Sequence, residues 1–98
     1  MLRVDEAKKE LAEKSYAQIQ KETAWKWASR AAAAFDLCKD EVDLAKKVAM
    51  YQTAQEFEHE AVEHAALYED CGTLLTEIHG QLEPHKDAAV ASLNEALS

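Results

Sequence analysis

The chain has 98 residues, 48% of them apolar, and a formal charge of −8 at pH 7. That length suits one domain with a single core, and its basic residues are scattered rather than grouped into a stripe that could track phosphates. Nucleic acid and anionic membrane are therefore not expected as partners. Neither an apolar leader nor an apolar run near about twenty residues is present, so the expected location is cytoplasmic.

Two glycines and one proline among 98 residues, with Ala, Glu, Lys, Leu and Gln dominant, point to an all-α fold. The first helix is expected from about Asp5, a potential N-cap, to about Leu37. A turn follows over Asp36–Asp40, with Asp40 as the next N-cap and Glu41 and Asp43 in the first turn of a second helix. Gly72 stands where a left-handed cap would end that helix, and Thr73 can open a third. The third helix carries Leu75, Ile78, Leu82, Ala89, Leu93 and Ala96 at helical spacing on both sides of Pro84, which is expected to kink it. The result is one domain over residues 1–98, a three-helix up-down-up bundle with two long first helices. Cys38 and Cys71 fall at opposite ends of helix two, out of disulfide reach of each other.

Within the first helix the apolar phase turns over. Val4, Leu11, Ala12, Tyr16 and Ile19 share one half of the cylinder, whereas Trp25, Ala28, Ala31, Ala32 and Phe35 lie largely on the other. A drift of about 20° per heptad is too small for that change. Either the helix breaks near Lys21–Thr23, giving four helices, or it is continuous and buries opposite faces against different neighbours, the simplest second neighbour being another copy of the chain. Trp25 and Trp27 stand about 160° apart on a helix, which argues the same way. Tyr16, Ile19, Trp25 and Trp27 are accordingly the candidate interaction residues.

Helix two carries a packing seam of Met50, Ala54, Phe57, Ala61, His64, Tyr68 and Cys71 in alternating steps of four and three. A lean, alanine-rich core can leave a cavity, and Trp25, Phe57, His64 and Tyr68 are the residues expected to line one. Glu56, His59 and Glu63 are the weak metal candidates, since Glu56-x-x-His59 matches the spacing used in di-iron carboxylate bundles. Such sites need a second copy of that motif and two more inward glutamates, so no cofactor is expected. Nothing following His59, His64 or His79 suits phosphotransfer, and no serine, cysteine and histidine cluster suggests hydrolysis. The expected function is a non-enzymatic interaction module, self-associating and binding a protein partner through an acidic or aromatic helical face. The alternative is a bundle that holds a small molecule or metal.

Overall fold

A computed structural model describes the backbone from Val4 to Ser98 and the side chains from Tyr16 onward. Three helices account for the described chain: α1 (Val4–Asp40), α2 (Leu44–Ala66) and α3 (Cys71–Leu97). Cross-helix contacts fix their directions. Cys38 meets Lys47, Phe35 meets Tyr51, Trp27 meets Phe57 and Gln20 meets His64, so residue numbers fall on α1 as they rise on α2, and the two are antiparallel. His85 bonds Asp36 and Ser92 bonds Lys39, so α3 runs parallel to α1. This is the up-down-up bundle that the composition implies. No helix among the described residues is long and apolar enough to cross a membrane.

The core is made of alanines filled in by a few large side chains. On α1 the buried stripe is Gln20, Ala24, Ala28, Ala31, Phe35 and Cys38, again in steps of four and three. Ala54, Ala61 and Ala65 face it from α2, and Leu74, Ile78, Leu82, Ala89 and Leu93 from α3. Small residues let the helix axes approach closely, while Phe35, Leu74, Ile78 and Leu82 are the largest side chains fully buried among them, and Trp25, Trp27, Tyr51, Phe57 and Tyr68 pack against their edges.

Continuity of α1 excludes the four-helix alternative with a break near Lys21–Thr23. Val4, Leu11 and Ala12, on which half of the phase reversal rests, lie outside the described side chains. Tyr16 and Ile19 are more than half exposed. The tryptophans do not require another chain: Trp27 faces Phe57 of α2, while Trp25 lies with Leu82 and His85 of α3. Two neighbours within one bundle therefore cover the two flanks of the α1 stripe.

Three boundaries differ from the sequence reading. α1 continues three residues beyond Leu37, and the cap of α2 is Asp43 rather than Asp40, its Oδ2 accepting from the Lys46 N–H at 3.0 Å. Asp43→Ala is expected to cost about 1 kcal/mol, measured by urea unfolding. α2 stops at Ala66 without any left-handed residue; Leu67 and Tyr68 instead close short bonds to the carbonyls three residues back. Gly72 and Thr73 consequently lie inside the first turn of α3, which begins at Cys71 and brings Leu74 into the core. Pro84 sits within α3 and is exposed, its missing N–H leaving the Gly80 carbonyl without its usual partner while the helix runs on to Leu97. At 37, 23 and 27 residues the helices are not matched in length, and α1 is the longest by ten.

Candidate functional site

Among the described residues, the interior holds one cation. Lys47 on α2 is 4% exposed, and its Nζ donates to three backbone carbonyls at the C-terminus of α1: Cys38 at 2.8 Å, Lys39 at 3.0 Å and Glu41 at 2.8 Å. A helix end leaves its last carbonyls unpartnered and carries partial negative charge, so an ammonium with three donors answers both needs at once. In return the Cys38 thiol donates to the Lys47 carbonyl at 3.3 Å. The cluster is closed and structural. Nothing in it is left to bind a ligand: among the described residues, no buried side-chain polar atom lacks a partner.

Burial pushes the Cys38 thiol above its ordinary range, with the Lys47 charge acting against that shift. The folded chain thus keeps this proton to higher pH than the unfolded chain. The resulting stability is complete below about pH 8.5 and declines as pH rises beyond it, until the folded thiol also ionises. Both thiols are free, Cys38 buried and Cys71 half-buried. In a thiol-labelling time course at pH 8, Cys71 is expected to react promptly and Cys38 only at the rate of unfolding; equal rates would contradict its protection.

Histidines serve as ties between helices. His64 Nδ1 donates to Gln20 Oε1 at 2.7 Å, linking α2 to α1, and Glu60 stands 3.9 Å from the other ring nitrogen. Beside it the Lys21 ammonium lies 5.4 Å from the centre of the Tyr68 ring. His85 Nδ1 donates to Asp36 Oδ1 at 2.8 Å, linking α3 to α1, and Lys86 pairs with Glu58 at 3.1 Å between α3 and α2. An Asp–His pair is half of a hydrolytic relay, but among the described residues no nucleophile is hydrogen-bonded to His85, as the relay would require.

The four residues expected to line a cavity do not gather into one. Trp25 borders a small space of about 110 Å³ against α3, with Ala28, Ala32, Leu82 and His85. Phe57 turns the other way, His64 is held by Gln20, and Tyr68 lies under Lys21. Of the metal candidates, His59 is already paired with Glu63 at 2.8 Å, both well exposed, and no group of three or more metal-ligating side chains occurs among the described residues.

What the folding does assemble is an open groove of about 790 Å³ along the α1–α2 seam. Its floor is Trp27 and Phe57, ring centres 5.5 Å apart and tilted by 44°. Its rim comes from α2: Gln52, Gln55, Glu56, His59 and Glu60. On the adjoining outer surface of α1 lies a second depression of about 650 Å³, bordered by Lys21, Lys26 and Arg30 together with Trp25 and Glu22. Arg30 bridges the two, its guanidinium 4.9 Å from the centre of the Trp27 ring. The sequence reading named Trp27, Phe57, Glu56 and His59 separately but not their convergence, and it missed Lys47, Gln20 and Arg30. Two of these carry a readable signal: Lys47 stands seven and fourteen residues before the buried Ala54 and Ala61, and Gln20 four before Ala24, so both are polar residues in phase with a buried stripe. No family model, curated protein or solved structure matches the chain, and its role is to be read from these contacts.

Proposed function

We propose that this chain is a non-enzymatic helical interaction module that self-associates and meets protein through the α1–α2 face. One observation carries the reading: the groove joins an aromatic floor, Trp27 and Phe57, to an acidic and amide rim, Glu56, Glu60, Gln52 and Gln55. Aromatic side chains bring large contact area with few rotors to fix, and a polar rim around an apolar centre is the anatomy of a protein interface. Tyr16 and Ile19, 53% and 55% exposed, add apolar surface on α1 toward the end where α2 turns into α3. A small-molecule carrier has less support, because Trp25, Phe57, His64 and Tyr68 point to different surroundings.

Sedimentation velocity over a micromolar concentration series tests the proposal. The mass is expected to climb from 10.9 kDa toward twice that value. A mass that stays at the monomer value throughout would overturn self-association through this face.

A further inference from the structure

We infer that the occupant of the α1–α2 groove is the cationic outer stripe of α1 from a second copy, the two copies lying antiparallel about a two-fold axis level with Ala28 and Phe57. This rests on the self-association proposed above and adds the partner surface and its direction.

Three observations carry it. The first is height. Trp27 and Phe57 are in ring contact, so Lys26 and Arg30 on α1 stand level with Glu56 and Glu60 on α2. A two-fold axis across the bundle at that level reverses heights about it, and because both pairs lie within about one helical turn of the axis, the cations of one copy fall beside the acids of the other, twice over.

The second is charge. The α2 rim offers Glu56 and Glu60, four residues apart, while the outer face of α1 offers Lys26 and Arg30, also four residues apart; each pair spans about 6 Å along its helix. Among the described residues, no ion pair engages Lys26, Arg30 or Glu56, and Glu60 has only the 3.9 Å approach of His64. The contact between Arg30 and Trp27 shows in addition that this aromatic floor receives a guanidinium.

The third is the pair of apolar residues bracketing the cations. Ile19 and Leu37 are 55% and 58% exposed and eighteen residues apart, five turns at 3.6 residues per turn, so they share one face of α1 with Lys26 and Arg30 between them. Each lies nine residues from Ala28. Antiparallel pairing about Ala28 therefore sets Ile19 of each copy opposite Leu37 of the other and covers both.

Charge reversal tests the docking. One chain carries Lys26→Glu with Arg30→Glu, the other Glu56→Lys with Glu60→Lys, and circular dichroism establishes that each remains helical. Each alone is expected to lose self-association by more than about tenfold, since like charges then face each other. An equimolar mixture is expected to recover it as a heterodimer, because one chain is acidic and the other basic on both surfaces. Variants that stay monomeric when mixed, or that dimerise alone as well as the parent, would overturn the inference while leaving self-association of the parent standing; a monomeric parent would instead overturn the underlying proposal. Direction is tested separately by Ile19→Cys and Leu37→Cys under mild oxidation. The doubly substituted chain is expected to form a covalent dimer and neither single variant to do so; linkage through Ile19→Cys alone would indicate parallel packing and contradict the axis.

Discussion

Replacing Lys47 by methionine is expected to destabilise the fold by about 3 kcal/mol and to lower the melting temperature by about 15 °C. Methionine keeps the stem that crosses the core and removes only the ammonium. A buried charge can often be exchanged for an apolar residue at little cost, but only when its partner is replaced too. Here the partners are the carbonyls of Cys38, Lys39 and Glu41, which belong to the backbone and persist in any variant. Thermal unfolding of Lys47→Met beside Lys46→Met provides the comparison. Lys46 is exposed, and its replacement is expected to stay within about 0.5 kcal/mol of the parent. Similar losses from both would mean that the capping contacts contribute nothing of their own.

Phe35→Ala is expected to be the most damaging single change, at about 4 kcal/mol by urea unfolding. Phe35 is fully buried, its ring 5.8 Å from that of Tyr51 at an interplanar angle of 60°. Its neighbourhood on α1 is alanine and cysteine, namely Ala31, Ala34 and Cys38, and such short side chains cannot swing in to fill the space left behind. The cost of a cavity depends on how far its walls collapse, which places this site toward the upper end of the usual range. Phe57 is only half-buried and opens onto the groove, so Phe57→Ala is expected to cost clearly less. Equal costs for the two would contradict the division into a filled core and an open docking floor.

The helical class was legible because a chain this short of glycine and proline has no other regular structure open to it. The α3 face was legible in its middle: Ile78, Leu82, Ala89 and Leu93 are buried as their spacing implies, whereas Leu74 takes the core position in place of the half-buried Leu75, and Ala96 in the last turn is exposed. Boundaries were less so, and Lys47 accounts for one of them. By satisfying the carbonyls at the end of α1 from another helix, it supports a last turn that the local sequence does not cap, and the N-cap of α2 moves from Asp40 to Asp43. Gly72 misled for a related reason, since helix α2 can end through three-residue-back bonds at Leu67 and Tyr68 that call for no left-handed residue. The groove was legible in its parts only. Residue spacing on one helix places Trp27 and places Phe57, but the α1–α2 register that joins them depends on interhelical contacts, Gln20 to His64 and Cys38 to Lys47, some forty-four and nine residues apart in sequence.

That the α1–α2 face is where this chain meets protein is tested most directly by amide NMR spectra recorded over a concentration series. The account predicts that shifts and line widths change with concentration along Ile19–Leu37 of α1 and Gln52–Glu60 of α2, while the exposed side of α3, including Glu77, His79, Gln81 and Asp87, stays unchanged. Spectra that do not move at any concentration, or changes centred on α3, would contradict it.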